Sequence, residues 1–333
     1  MQGVDVIVVG ATGLVGQTMI RILEERHLPV RSLLPLASPR SAGRTVEFQG
    51  VSVAVQTLEE STLPRWEGSI ALFSAGAQVS RYFAPVFVRR GATVIDNSSA
   101  FRMEPEVPLV VPEVNAAALH RHRGIIANPN CSTIQMVVAL KPLHDRYRLR
   151  RIVVATYQAV TGAGRRGQRQ LEDELAGRTV EAPAFPHPIA GNCIPQIDVF
   201  LSDGYTKEER KMMDETRKIL GDETLKITAT CVRVPVVGGH SEAVTVEFEQ
   251  PVNVEEAREL LRQAPGVTVM DDPARQHYPL AQEARARDDV FVGRLRRDPS
   301  AANALSLWIV ADNVRKGAAT NAVQIAEHLL AHR

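Results

Sequence analysis

The sequence predicts an α/β protein in two parts: a doubly wound parallel sheet, then an α+β domain with a mainly antiparallel sheet. Three observations predict it. Short apolar strands alternate with helical segments through the first 130 residues, the order that builds a parallel sheet covered on both faces. A glycine-rich turn joins the first strand to the first helix. Past residue 150 the strands alternate apolar and polar residues, as half-covered antiparallel strands do.

Val4 to Val9 is a short β-branched apolar run, the pattern of a buried parallel strand. Gly10-Ala11-Thr12-Gly13-Leu14-Val15-Gly16 follows it, and Leu14 to Arg26 has helical periodicity. Strand, glycine turn and helix together form the setting in which backbone N–H groups approach a pyrophosphate. This predicts a Rossmann-type dinucleotide domain. The spacing is GxxGxxG rather than GxGxxG, so a plain βα turn remains open on the motif alone.

The second strand runs from Val30 to Ala37 and is followed by Ser38-Pro39-Arg40-Ser41-Ala42-Gly43. No carboxylate stands there to hold a ribose 2′-hydroxyl. Arg40 and Ser41 suit a 2′-phosphate instead, which points to NADP; a solvated arginine is the competing reading. Further strands are Ile70 to Ser74 and Thr93 to Asp96, with a helix between them from Val79 to Arg90. Ser74-Ala75-Gly76 is a small-residue strand end of the kind that lies against a cofactor.

Asn128-Pro129-Asn130-Cys131 runs into Ser132-Thr133-Ile134-Gln135, and Ile134 to Leu140 reads as a helix. A thiol at a helix start meets free N–H groups and the positive end of the helix dipole, which favour the thiolate. Cys131 is therefore the candidate nucleophile, with a buried structural cysteine as the alternative.

In the second half, Arg151 to Gln158 is a strand ending in Thr161-Gly162-Ala163-Gly164. Lys226 to Val234 places Ile227, Ala229, Cys231 and Arg233 on one face; Ala243 to Gln250 places Val244, Val246 and Phe248 on one face. A charge closing an otherwise small, apolar face needs a partner, either a protein carboxylate or a substrate carboxylate. Lys207 to Leu220 is a charged helix on which Glu208 and Lys211 share a face; a solvated ion pair is the plain reading. The last helix is expected over 312–333 and its small residues suit close packing on the first domain. The predicted division is thus 1–130, completed by 312–333, and 131–311.

Composition excludes other classes. Net charge is +1, which gives no global basic field for nucleic acid and no strong repulsion of it. Three cysteines without CxxC spacing argue against a disulfide framework or a metal knuckle and fit a reducing cytoplasm. No apolar run reaches the length of a membrane span, and with the first strand starting at Val4 no signal peptide is expected.

Taken together, the glycine turn, Asp96-Asn97-Ser98-Ser99-Ala100-Phe101-Arg102-Met103, Val110-Val111-Pro112-Glu113-Val114-Asn115 and Asn130-Cys131-Ser132-Thr133 resemble the aspartate-semialdehyde dehydrogenase family. So do Thr156-Tyr157-Gln158-Ala159-Val160, Arg233-Val234-Pro235-Val236, Gly239-His240-Ser241-Glu242 and Asp312 to Asn321. The resemblance implies reduction of aspartyl 4-phosphate with NADPH, on the route to lysine, threonine, methionine and diaminopimelate, in a cytoplasmic homodimer. It implies Cys131 as nucleophile, His240 as acid/base and Gln158 beside the sulfur. It places Arg233 on the substrate α-carboxylate, Glu208 near the amino group, and Arg102 and Lys211 at the phosphate. Gly10, Thr12, Gly13, Leu14, Val15, Gly16, Arg40, Ser41, Ser74, Ala75, Gly76, Thr161, Gly162 and Asn313 fall to the cofactor.

The rivals are an N-acetylglutamyl-phosphate reductase, which shares the cysteine–histidine chemistry, and a non-catalytic dinucleotide-binding paralogue. Thr161 stands where many relatives have Ser, keeping a hydroxyl. The basic stretch Arg165-Arg166-Gly167-Gln168-Arg169 reads as a solvated loop, and Cys193 has no assigned role.

Overall fold

The computed structural model describes residues 3–41 and 43–332. Met1, Gln2, Ala42 and Arg333, which fall in predicted segments, lie outside the described residues. The chain divides into two compact units, Met1–Asn130 with Ala318–Arg333, and Cys131–Gly317.

The first unit contains β1 (Val4–Val9), α1 (Leu14–Glu25), β2 (Val30–Ala37), β3 (Thr45–Phe48), β4 (Val51–Ala54), β5 (Gln56–Thr57), β6 (Ile70–Phe73), α2 (Ala77–Arg89), β7 (Thr93–Asp96), α3 (Pro112–Asn115) and β8 (Ile125–Ala127), and ends with the C-terminal helix Thr320–Ala331. Its main sheet has the order β5-β2-β1-β6-β7-β8, with every pairing parallel. Strand periodicity divides the residues of β1 between two cores. Val4, Val6 and Val8 pack with Met19, Ile22 and Leu23 of α1 and with Val323 and Ile325 of the C-terminal helix. Ile7 and Val9 pack on the other face with Ala84 and Phe87 of α2. Buried on both faces, β1 needs the continuous apolar run that its sequence shows. From β1 the chain turns to β2 on one side and later to β6 on the other. The carboxyl ends of β1 and its neighbours form the crevice where this fold class binds ligands.

The second unit contains α4 (Cys131–Tyr147), β9 (Leu149–Gln158), α5 (Gly164–Leu175), α6 (Lys207–Leu220), β10 (Lys226–Arg233), β11 (His240–Phe248), α7 (Val254–Gln263), β12 (Val267–Val269), α8 (Ala281–Ala284), β13 (Val290–Arg297) and β14 (Ala304–Ala311). The strand order is β10-β9-β11-β14-β13-β12. Pairings β9–β11, β11–β14 and β13–β14 are antiparallel, and the two outer ones parallel, so the sheet is mixed and mainly antiparallel. On β11, His240, Glu242, Val244, Val246 and Phe248 are all buried, and α4 covers this side.

Three expectations change. Residues 165–169 are not a loop: they belong to α5, whose Gly167, Gln170 and Leu171 are buried. A Cβ on Gly167 would stand 2.3 Å from the Val160 carbonyl oxygen, so a glycine inside this helix reflects close packing. The final helix starts at Thr320, not Asp312. Asp312 instead accepts hydrogen bonds from the Val314 and Arg315 N–H groups at 2.8 and 3.0 Å, shaping a turn. A π-helical turn, Arg315–Ala319, follows before the helix begins. The third change lies at the strand ends: β11 starts at His240 rather than Ala243, so His240 is a strand residue and not part of a loop.

Candidate active site

The first unit builds a cradle from glycines. Gly10 has φ +87°, and a Cβ there would lie 2.5 Å from the Ser74 carbonyl oxygen. A Cβ on Gly16 would lie 2.2 Å from the Gly10 carbonyl oxygen. Only glycine lets β1, the turn, β6 and α1 approach this closely. Gly13 is the N-cap of α1 and carries no side-chain cap, so the first N–H groups of Leu14, Val15 and Gly16 lack helical partners. Thr12 Oγ1 and Ser41 Oγ are 3.1 Å apart across the turn. Arg40 is exposed beside buried Ser41 in the helical turn that follows β2. Ser74 and Ala75 are half-buried and Gly76 is exposed at the end of β6. An uncapped helix start behind a glycine turn, flanked by an arginine and hydroxyls at the end of β2, can hold the phosphates of a dinucleotide.

Arg102 sits elsewhere in the same unit and is 7% exposed. Its Nε donates to the Asn128 carbonyl at 2.9 Å and its Nη2 to the Asn97 carbonyl at 3.0 Å. Asn128 in turn donates to Asn97 Oδ1 at 2.7 Å and accepts from Asn321 Nδ2 at 2.7 Å. These bonds fix the segment that leads into Cys131.

In the second unit, Cys131 is the first residue of α4 and is partly exposed. Gly317 lies against it. The other two cysteines differ: Cys193 is exposed, while Cys231 is buried. Burial, with nearby Glu208, pushes the Cys231 thiol far above its ordinary value, so it is inert as a nucleophile.

Strand register gathers the remaining groups. Arg233 is in register with Gln158, and the pairing of Ser241 with Tyr157 brings His240 to the same level. Ala159 ties two of them: its carbonyl accepts from Arg233 Nη1 at 2.7 Å and its N–H donates to His240 Nδ1 at 3.0 Å. Because Nδ1 accepts, the proton of the neutral ring is on Nε2. That Nε2 is buried with no hydrogen-bond partner among the described residues. Burial, and secondarily the Arg233 guanidinium, push His240 well below its usual value. The ring is therefore a neutral N–H donor.

Arg233 is buried, and Phe185 lies against its guanidinium, with the ring centroid 5.6 Å from Cζ. Burial lowers its pKa, against the charges of Glu208 and Cys131. No carboxylate of the described residues lies within 4 Å of it. A buried guanidinium with one main-chain hydrogen bond still has donors to give.

Gln158 Nε2 donates to Glu208 Oε1 at 3.2 Å and Thr156 Oγ1 at 3.3 Å. Lys211 Nζ reaches Glu208 Oε2 at 3.2 Å and Asp198 Oδ2 at 2.9 Å. Glu208 is buried, so this is not the solvated surface pair that spacing alone suggests. Burial works against the Lys211 charge, but Glu208 and Asp198 outweigh it and raise its pKa. Thr161 Oγ1 is 3.1 Å from Asn313 Oδ1, which also accepts the Gly239 N–H at 3.2 Å.

The second unit thus brings together Cys131, Gln158, Glu208, Lys211, Arg233 and His240, while the glycine turn, Arg40, Ser41, Ser74–Gly76 and Arg102 belong to the first. Thr161, Gly162 and Asn313, assigned to the cofactor by resemblance, sit in the second unit, against Arg233, His240 and Gly239. Sequence reasoning missed Ala159, Gly317, Phe185, Asp198, Gln135 and Glu242. Ala159 acts through its main chain, which no residue type signals. Glu242 carried one signal: a carboxylate on the apolar face of an alternating strand.

Two family models match the chain: "Semialdehyde dehydrogenase, NAD binding domain" over residues 5–122 and "Semialdehyde dehydrogenase, dimerisation domain" over residues 140–316. The aspartate-semialdehyde dehydrogenase of Aquifex aeolicus is 53% identical, covering 98% of each chain. A solved structure of aspartate semialdehyde dehydrogenase II from Vibrio cholerae complexed with ASA superposes with a TM-score of 0.94 at 48% identity, covering 99% of each chain. Another, of aspartate semialdehyde dehydrogenase with NADP from Candida albicans, has a TM-score of 0.75 at 26% identity, again over 99% of each chain. Full-length identity of this order, carried on the same two-unit fold, means that the chain belongs to the aspartate-semialdehyde dehydrogenase family.

Proposed function

We propose that this protein is an NADP-dependent aspartate-semialdehyde dehydrogenase, converting L-aspartyl 4-phosphate to L-aspartate 4-semialdehyde and phosphate through a Cys131 thioacyl intermediate. The observation that carries this reading is the convergence of neutral His240 and buried Arg233 on Ala159, in the unit whose helix α4 starts with Cys131. The Cys131 thiolate, favoured by the helix start, attacks the acyl carbon; the C–S bond forms and the bond to the phosphate oxygen breaks. Arg102 and Lys211 neutralise the departing phosphate. NADPH, when bound by the first unit, supplies the hydride that reduces the thioester. His240 Nε2–H stabilises the oxygen that becomes negative, and the thiolate leaves as the aldehyde carbonyl re-forms.

Arg233 offers its guanidinium to the α-carboxylate, and the Gln158–Glu208 pair presents a buried negative charge to the α-ammonium. That charge argues against the N-acetylglutamyl rival, whose acylated nitrogen carries no charge. The joint presence of Cys131, His240, Arg233, Arg102 and Lys211 argues against a silent paralogue. From the family resemblance we infer that the enzyme acts on the route to lysine, threonine, methionine and diaminopimelate, in the cytoplasm. No described helix is long and apolar enough to cross a membrane.

We also infer a homodimer built on the second unit's sheet. On the sheet face away from α4, Tyr157 is 38% exposed and its ring lies 5.5 Å from that of Trp308. Beside them Ala243, Pro279 and Leu280 line an apolar groove of about 380 Å³. A sheet face of this kind suits a self-complementary interface.

The test is mass spectrometry of protein mixed with the acyl phosphate in the absence of NADPH. An acyl adduct on Cys131, absent in Cys131→Ala, is expected. No adduct on the unsubstituted protein would sink the assignment.

A further inference from the structure

One pleat behind the proposed reacting groups lies a second row of side chains on the same sheet face. Cys231 on β10, Thr156 on β9 and Glu242 on β11 are in register across the three strands. Glu242 is fully buried, and neither of its carboxyl oxygens has a hydrogen-bond partner among the described residues. No cation of the described residues pairs with it. A carboxylate anion so placed is among the costliest arrangements that a protein interior can hold.

The groups around it offer no charge to offset that cost. Thr156 comes from β9, Cys231 from β10, Ile309 from β14 and His240 from its own strand. From α4 comes Gln135, and on α6 Glu208 and Glu209 join Glu242 in raising the Cys231 pKa. Gln135 is itself fully buried. Its Nε2 donates to the His240 main-chain carbonyl at 3.3 Å, while its Oε1 accepts no hydrogen bond from the described residues. Burial drives the Glu242 carboxyl well above its ordinary value, with Gln135 opposing. A single proton on Glu242 supplies the donor that this pair of buried amide and carboxyl oxygens lacks.

We propose that Glu242 is a positioning residue for His240: as the neutral acid it donates its O–H to Gln135 Oε1, and Gln135 in turn holds the main chain of His240. Ala159 fixes the ring from one side, and the Glu242–Gln135 pair fixes the backbone that carries it. The inference rests on the reading of His240 as the group that stabilises the reacting oxygen.

The experiment compares Glu242→Leu, Glu242→Gln and Gln135→Leu in the full chain. It measures kcat, KM and the NMR signals of labelled histidine, with His240 identified by a His240→Asn variant. Glu242→Leu and Gln135→Leu are each expected to lower kcat about 10- to 100-fold, the effect of small misplacements in a site. KM should stay within about threefold and the His240 signals should shift. Glu242→Gln, whose amide replaces the O–H donor, is expected to restore kcat to within about threefold and leave the His240 signals in place. Two results overturn the proposal: Glu242→Gln as damaging as Glu242→Leu, or Leu variants with unaltered kcat and unaltered His240 signals. If Glu242→Leu does not fold, Glu242→Gln and Gln135→Leu decide by the same criteria. An unsubstituted protein inactive on the aldehyde would sink the proposed function, whereas the NMR signals test the positioning without turnover.

Discussion

Gly317 lies so close to Cys131 that a methyl group on it would stand 2.9 Å from the cysteine Cβ and 3.3 Å from its Cα. Both contacts are with atoms that cannot swing away. Gly317→Ala is therefore expected to move the sulfur and lower kcat about 10- to 100-fold, since sub-ångström errors at a nucleophile are costly. The rate of Cys131 alkylation by iodoacetamide should fall with it. Wild-type kcat in this variant would show that the contact relaxes elsewhere.

Arg233 is tied to Ala159 by one hydrogen bond and pressed by Gly162, whose added Cβ would lie 2.5 Å from Nη1. Arg233→Lys keeps the charge but loses the planar fork that grips a carboxylate with two hydrogen bonds. Loss of such a charge-assisted contact is expected to reduce kcat/KM by about 10- to 100-fold, mainly through KM. Gly162→Ala should move KM in the same direction by displacing the guanidinium. Steady-state kinetics on the aldehyde checks both; an unchanged kcat/KM in Arg233→Lys would place the carboxylate elsewhere.

Two buried groups give the protein opposing pH dependences. His240 has an ordinary value of 6.5, and burial sets its folded value well below that. Below pH 6.5 the unfolded chain binds more protons at this residue, so stability is lost as pH falls. Glu242 has an ordinary value of 4.5 and a folded value well above it. Here the folded chain binds more protons, so stability is lost as pH rises from 4.5 through the folded value. Each slope is at most about 1.4 kcal/mol per pH unit. Glu242→Gln removes the second slope only. Its stability relative to wild type should rise as pH increases above 4.5 toward the folded value, as read from urea unfolding curves. A pH-independent difference would mean that Glu242 is not held protonated.

Arg40 is exposed next to buried Ser41, across from Thr12. Arg40→Ala is expected to raise KM for NADP+ about tenfold while leaving NAD+ nearly unchanged, because only the former carries the 2′-phosphate. Equal effects on both nucleotides would locate that phosphate at another residue.

Much of this architecture was legible in the chain. The β1 run and its glycine turn specify a strand buried on both faces and a close βα crossing, and both are local signals. The alternation of β10 and β11 placed Arg233 and Val244 on buried faces because a strand's period is two. Glu208 was not legible as buried: spacing shows that it shares a helix face with Lys211, but not which surface that face meets. The stretch 165–169 reads as a loop because one glycine and three arginines obscure the period; Leu171 and Gln170 show the buried face only in the fold. The main-chain grip of Ala159 on two side chains has no signature in residue type at all.

The C-terminal helix is a wall of the first core, where Val323 and Ile325 cover the Val4, Val6 and Val8 side of β1. During synthesis that wall emerges from the ribosome after all 187 residues of the second unit, from Cys131 to Gly317. The nascent nucleotide-binding half thus waits with one apolar flank bare while its partner folds, a window in which chaperone protection counts most. A gene fragment ending at Asn130 would leave that flank open permanently and yield aggregate rather than an isolated module.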